Sequence, residues 1–330
     1  MTLRRTAAAV VLAVMAFVAS AMAPVWTYAL SLALFGLPHV ACELRYLDER
    51  FGARVDRTTW RRLAGALLAI AALRAIAVVG VGDFAHRAAV ELLLGGALVA
   101  TLAPRLAIAG ALPLALALAT LGLALASAAL APAGALVAFA FVHNPTPLGL
   151  LAERLRGPAR KPGLAIAALG FVVVPVLLVV GGRAAIAHAL GLPRNDDGPG
   201  ALGDLAAASP SFVPGPWLDA PWAGDLFAAA AFLQCLHYLV VIGWLPRLGA
   251  GDEPAAPKLR WPEPRAFAGL VVASTALLAI GYLADFTGAR AAYGVVASVH
   301  AWIEVPILLL AAAGAGVARP PATIDRLRPA

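Results

Sequence analysis

Charged side chains are scarce in this 330-residue sequence, where they occupy only 13% of the positions. Soluble domains average roughly one quarter charged residues, whereas 62% of this chain is hydrophobic. An ordinary soluble globular domain is therefore excluded. The net charge of +7 does not indicate a nucleic-acid partner, because the basic residues lie in short loops between apolar runs and not in a stripe with aromatic residues. This composition predicts a polytopic membrane protein.

Sulfur-containing residues are rarer still. The only two cysteines, Cys42 and Cys235, each lie within an apolar run, which excludes a disulfide framework and a cysteine-based zinc site. Three methionines are too few to favour a Cu(I) site, which prefers thiolate and thioether ligands. The sequence also lacks a phosphate-cradling glycine loop and an H-E-x-x-H motif. ATP-driven transport by this chain alone and zinc hydrolysis are therefore not indicated.

Long apolar runs, by contrast, fill the sequence. Ten runs approach the roughly 20 residues that a membrane-spanning helix needs; they are 7–24, 27–46, 61–81, 88–103, 106–130, 132–152, 163–181, 225–246, 266–284 and 294–318. Counting from a cytoplasmic N-terminus, 20 of the 25 Lys and Arg residues fall in cytoplasmic segments. The sequence predicts an all-α polytopic helical bundle of about ten transmembrane helices, with both termini cytoplasmic, in a bacterial-type inner or plasma membrane.

We predict a single domain that covers 1–330. Two of its segments differ from the other membrane spans and short loops. The first run has a second interpretation as a cleaved signal peptide, because ASAMA precedes Pro24. Cleavage would leave nine spans in the same orientation. The segment 182–224 is rich in Pro, Gly and Asp, and we expect it to form an extracytoplasmic loop or cap.

Four histidines lie near the middle of predicted spans: His39, His143, His237 and His300. All four spans are even-numbered and run in the same direction, so the histidines fall within about 10 Å of the bilayer midplane at 1.5 Å rise per residue. Ionisable groups at that depth usually face the interior of a bundle. We therefore predict that the four histidines are ligands of one metal site, although hydrogen-bonded packing residues would show the same pattern.

Two glutamates accompany these histidines. Glu43 follows His39 by four residues and Glu304 follows His300 by four residues, which places each pair on one helix face. We predict that Glu43 and Glu304 are catalytic residues that orient the imidazoles or complete the metal shell. For Glu43, a charge at the membrane interface is the alternative, since Arg45 is close in sequence. Imidazole with carboxylate suits iron, manganese or zinc.

The sixth span is interrupted after its histidine. Pro145 and Pro147 follow His143, and a proline disfavours a helical conformation in the residue before it. The pattern predicts either a broken helix that lines a cavity or a simple kink near a helix end. Arg74, inside the third span, also needs a counter-ion, for which Glu91 is one candidate and Glu304 is the other.

The sequence around the first of these histidines resembles a known signature. GLPHVACEL is similar to the GxPHGAxD motif near the start of the Brp/Blh carotenoid-cleaving oxygenases, with matches at Gly36, Pro38, His39 and Ala41. Val40 replaces the motif glycine and Glu43 the aspartate. LHYLVVIGWLPR resembles the later histidine motif of that family, which has two histidines one turn apart where this chain has only His237.

The resemblance implies a polytopic membrane enzyme that uses histidine-held non-haem iron and oxygen, with His39 as an iron ligand. On this basis we expect an intramembrane oxygenase or oxidase that acts on an apolar lipid or isoprenoid-type substrate, and we leave open whether a partner donates electrons. Two alternatives remain. The His and Glu residues could relay protons in a carrier, or two histidines could ligate a haem.

Overall fold

The computed structural model describes residues 3–248 and 257–315, and this part of the chain is predominantly helical. Its described residues contain no β-strand and only one isolated bridge, between Asp197 and Asp204. The predicted all-α polytopic bundle is therefore confirmed. The predicted cytoplasmic C-terminal segment with Arg319, Arg326 and Arg328 lies outside the described residues.

Fifteen α-helical segments follow one another along the described chain. In order they are α1 Leu3–Met22, α2 Pro24–Phe51, α3 Arg57–Val78, α4 Phe84–Ala109, α5 Ala111–Leu130, α6 Pro132–His143, α7 Pro147–Arg154, α8 Arg160–Ala168, α9 Val174–Leu177, α10 Arg183–Leu190, α11 Leu205–Ala208, α12 Ala223–Tyr238, α13 Leu245–Leu248, α14 Pro264–Ala284 and α15 Phe286–Ala315. Short π-helical stretches join α8 to α9, α9 to α10 and α12 to α13, so that these segments form longer helices.

Eight helices in the described residues are long and apolar enough to cross a membrane, which indicates an integral membrane protein. The other two predicted spans are also helical. In α1 the apolar part, Val10–Met22, is short, and α3 contains four arginines within its 22 residues. The polytopic architecture is thus established, whereas the count of about ten spans is not confirmed.

The segment predicted as an extracytoplasmic loop begins later than the sequence indicated. The apolar helix Gly157–Leu190 continues past 182, with a kink at Gly181, whose φ of +106° is readily adopted only by glycine. Residues 191–222 then form turns and short helical segments, including α11. Leu205 and Phe212 pack there against Val25 and Tyr28 of α2, so this segment covers the ends of the central helices where α2 and α12 begin.

The interior of the bundle is built on α2, α12 and α15. Four consecutive alanines of α12, Ala228–Ala231, are completely buried, and such small side chains allow neighbouring helices to approach closely. The outer helices α5 and α14 instead expose large apolar side chains, such as Leu123 and Leu277, as expected for surfaces in contact with lipid. Three of the four intramembrane histidines therefore lie on the most enclosed helices.

Candidate metal centre

Helix α2 supplies the first histidine and its companion glutamate. His39 and Glu43 lie one turn apart, and the structure leaves them 2% and 0% exposed. His39 Nδ1 lies 3.1 Å from the carbonyl oxygen of Phe35 and donates its proton to that oxygen. Because Nδ1 holds the proton, Nε2 presents a lone pair to the interior. Full burial of Glu43 excludes the alternative of an exposed interfacial charge.

The helix is locally distorted after His143. Helix α6 ends at His143 and α7 begins at Pro147, but Asn144 and Thr146 between them keep helical φ/ψ values, and Pro132–Arg154 forms one apolar span. The amide of Leu148 bonds to the Pro145 carbonyl, which leaves the carbonyl of Asn144 free to accept another donor. Both His143 and Asn144 line a cavity. Of the two interpretations of this proline pattern, the structure shows a kink within one continuous span, and this kink lies beside a cavity.

That free carbonyl orients the histidine of α12. His237 is fully buried, and its Nδ1 lies 3.1 Å from the Asn144 carbonyl oxygen, to which it donates. Its Nε2 lies 3.2 Å from Glu43 Oε2. Since the proton resides on Nδ1, a neutral His237 presents a lone pair to a carboxylate oxygen. A proton or a metal cation between the two atoms removes this repulsion.

Helix α15 completes the set with His300 and Glu304, which are 2% and 0% exposed. His300 Nε2 lies 3.1 Å from Nε2 of His39 and 3.1 Å from Nε2 of His143. On the other side of the His143 ring, Nδ1 lies 2.9 Å from Glu304 Oε2. Three imidazole nitrogens thus face one another at distances at which lone pairs repel unless they share a proton or a cation.

The four rings predicted to meet do lie together. Ring centroids are 4.7 Å apart for His39 and His300, 4.8 Å for His143 and His300, 4.9 Å for His143 and His237, and 5.2 Å for His39 and His237. The rings come from four helices that are distant in sequence. A single inward-facing cluster therefore accounts for histidines that would otherwise be costly in hydrocarbon.

Within this cluster, four side chains have the spacing of a metal site. His143, His237, His300 and Glu304 each offer one ligand atom, and these atoms lie within 4.8 Å of one another. Metal–ligand bonds of about 2.0–2.2 Å allow ligand atoms of one shell to be at most about 4.4 Å apart, so a small contraction would bring all four into one shell. His39 and Glu43 contact members of this group but are not part of it. The ligand roles of all four histidines and the catalytic roles of Glu43 and Glu304 stay predictions.

The donor atoms themselves fit a cation. The buried polar atoms without a well-formed hydrogen bond among the described residues include Glu43 Oε1, both carboxylate oxygens of Glu304, and Nδ1 of His143 and His300. Unpartnered polar atoms in a buried interior are costly. A divalent cation would satisfy the carboxylate oxygens together with one nitrogen of each imidazole that faces it. The residues present therefore suit a metal such as iron.

A cavity of about 420 Å³ adjoins the cluster, and His39, His143 and His300 form part of its wall. Most of the remaining wall is apolar or aromatic, including Phe139 and Trp302. This volume lies within the usual range of about 300–1,000 Å³ for small-molecule sites. A mostly apolar cavity large enough for a small molecule is therefore next to the candidate metal ligands.

Arg74 finds its counter-ion in Glu91, one of the two candidates from the sequence. The guanidinium binds the carboxylate through two nitrogens, at 2.6 Å for Nε to Oε2 and 2.9 Å to Oε1. Trp302 Nε1 also donates to Glu91 Oε1 at 2.8 Å. This network fixes the indole in the cavity wall, where it stacks on Phe139 with ring centroids 4.2 Å apart.

Two features of the site were not predicted from the sequence. Tyr238 stacks on His39 with ring centroids 4.1 Å apart, and the Asn144 carbonyl orients His237. The position of Tyr238 directly after His237 did not predict its contact with His39, because neighbouring residues of a helix point to different faces. The contact between the Asn144 carbonyl and His237 could have been predicted from the sequence. Asn144 lies between a histidine and two prolines, where a backbone carbonyl loses its helical hydrogen-bond partner.

No family model, curated protein or solved structure matches this chain. The fold and the site therefore define a class and no family: an integral membrane helical bundle with a buried His/Glu cluster that could bind a metal.

Proposed function

We propose that this chain is an intramembrane, non-haem iron oxygenase or oxidase that acts on an apolar lipid or isoprenoid-type substrate. One observation supports the proposal most directly: three imidazoles and a carboxylate converge in the interior of the bundle beside a mostly apolar cavity. The similarity of the GLPHVACEL segment to the carotenoid-cleaving family supports the same chemistry. A bacterial-type inner or plasma membrane suits a protein of this composition.

The residues of the cluster would have different roles. His143, His237, His300 and Glu304 would hold the iron, because their donor atoms have the appropriate spacing. Iron, when bound, supplies the oxygen and one-electron chemistry that protein side chains cannot perform. The carbonyl of Asn144 holds the His237 ring in one orientation, so its Nε2 stays available as a donor. His39 and Glu43 would position their neighbours.

The cavity contributes binding, orientation and exclusion of water. Its wall combines the imidazole edges of His143 and His300 with the aromatic faces of Phe139 and Trp302. An apolar substrate would enter from the bilayer and replace water in this space. The Arg74–Glu91 pair keeps Trp302 in place and so maintains the shape of the cavity.

Metal analysis of the protein purified in mild detergent tests this proposal. We expect about one iron per chain, lost in His143→Ala and in His300→Ala because each variant removes a donor from the cluster. His188→Ala is the matched control, since His188 is exposed, and this variant should retain iron. A metal-free protein would favour the proton-coupled carrier, and a Soret band would show that the histidines ligate haem.

A further inference from the structure

The cavity follows one face of α15 from the beginning of that helix to the histidine cluster. Arg290, Ala291, Gly294, Ala297 and His300 all line it, at successive intervals of one, three, three and three residues. The ten-residue separation between Arg290 and His300 corresponds to about 15 Å at 1.5 Å rise per residue. Tyr293 also lines the cavity, whereas Ala291, Gly294 and Ala297 are small and leave space along the helix between the arginine and the imidazoles. We call this part of the cavity the slot.

The charge of Arg290 has no counter-ion within the described residues. Its guanidinium carbon lies 5.7 Å from the centre of the Tyr28 ring, and the ion pairs of the described chain do not include it. Arg74, in the same cavity wall, is instead neutralised by Glu91. The nearby carboxylate of Asp285 accepts the amide of Gly288 at the start of α15.

A partly buried cation without an ion-pair partner, in a cavity wall that is mostly apolar, attracts an anion. Arginine also presents a planar fork of donors that matches the oxygens of a carboxylate or a phosphate. Tyr28 holds the guanidinium by its ring face, which leaves the N–H groups along the guanidinium edge available. One end of the slot thus selects an oxyanion and the remainder accepts hydrocarbon.

The geometry points to a long-chain amphipathic lipid with an anionic carboxylate or phosphate headgroup as the ligand of this cavity. The headgroup binds Arg290, the chain lies along Ala291, Gly294 and Ala297, and a chain position about 15 Å from the headgroup reaches the histidines. This inference rests on the proposed function only for the reaction at the histidine end. Binding of the headgroup requires no metal.

Binding measurements on the full chain in nanodiscs of zwitterionic lipid test this inference. The probes are a long-chain carboxylic acid, the alkyl phosphate of the same chain length and the methyl ester of the acid. We expect Arg290→Gln to weaken binding of both anions by at least about tenfold, the effect of losing one charge-assisted hydrogen bond. The uncharged ester should bind the variant and the original protein equally.

Two further variants serve as controls. Arg290→Lys keeps the positive charge and should retain a preference for the anions over the ester. Arg194→Gln removes an exposed arginine that does not line the cavity, and it should leave all three affinities unchanged. Whichever anion binds more tightly identifies the headgroup as carboxylate or phosphate.

The inference is overturned if Arg290→Gln weakens the acid and the ester equally, because Arg290 then only supports the fold through Tyr28. Equal binding of acid and ester by the unmodified protein would also overturn it. The His300→Ala variant separates the two proposals, since it should lose metal and still prefer anions over the ester. A metal-free protein with an Arg290-dependent preference for anions would refute the oxygenase and leave the headgroup site standing.

Discussion

Two histidines of the cluster have their protonation sites fixed by the backbone. His39 donates from Nδ1 to Phe35, and His237 donates from Nδ1 to Asn144. Each ring therefore presents an unprotonated Nε2 to the interior, as a ligating imidazole does when its other nitrogen is held by a carbonyl. If these histidines served only for packing, an arrangement in which their Nε2 lone pairs face other hydrogen-bond acceptors would not stabilise the protein.

At the same scale, Glu304 combines full burial with two oxygens that lack well-formed hydrogen bonds. We expect Glu304→Gln to lower the metal affinity by about 10- to 100-fold or more, because the amide is a weaker, uncharged donor. Competition with a chelator of known affinity provides the measurement. Glu263→Gln, at an exposed position, is the matched control and should leave the affinity unchanged. Equal affinities of Glu304→Gln and the unmodified protein would remove Glu304 from the site.

Among the helices, the cavity wall depends on how closely α4 and α15 pack. A Cβ atom placed on Gly95 of α4 would lie 2.0–2.5 Å from ring atoms of Trp302 of α15, so the indole occupies the space that a side chain would need. The same indole donates to Glu91 and stacks on Phe139. The glycine, the ion pair and the aromatic stack therefore act together to shape the cavity.

We expect Gly95→Ala to destabilise the protein by about 1–3 kcal/mol, the usual cost of overpacking a rigid interior. The variant should also displace Trp302, which its fluorescence would report. Unfolding followed in detergent gives the free energy of unfolding. Gly122→Ala in α5 is the matched control, because a Cβ atom added there would meet no other side chain of the described residues within 4 Å, and the expected change is under about 1 kcal/mol. Similar unfolding free energies for the two variants would contradict this packing account.

The molecule as a whole shows which features hydropathy and spacing can predict. The positions of the histidines along their apolar runs were sufficient to predict that all four lie at a similar depth; they are His39, His143, His237 and His300. Their inward orientation was predicted from the cost of exposing ionisable groups to lipid. The distortion after His143 was equally visible, because proline affects the backbone locally. These inferences needed no knowledge of which helices are neighbours.

Other features depend on three-dimensional neighbours, and the sequence could not specify them. Arg74 had two candidate counter-ions, and only the packing of α3 beside α4 selects Glu91. The helix that ends at Leu190 continues past the predicted boundary because π-helical turns and Gly181 let it bend without ending. The contact of Tyr238 with His39 forms between two helices, and the spacing of residues along one helix does not predict such a contact.

The central claim is that imidazoles from distant helices share one metal cation with Glu304. X-ray absorption at the iron edge of the purified protein tests it most directly. We predict a first shell of nitrogen and oxygen only, at roughly 2.0–2.2 Å, with the outer-shell scattering that imidazole rings produce and with a reduced imidazole contribution in His300→Ala. A sulfur-containing shell, a porphyrin signature or the absence of bound iron would contradict the account.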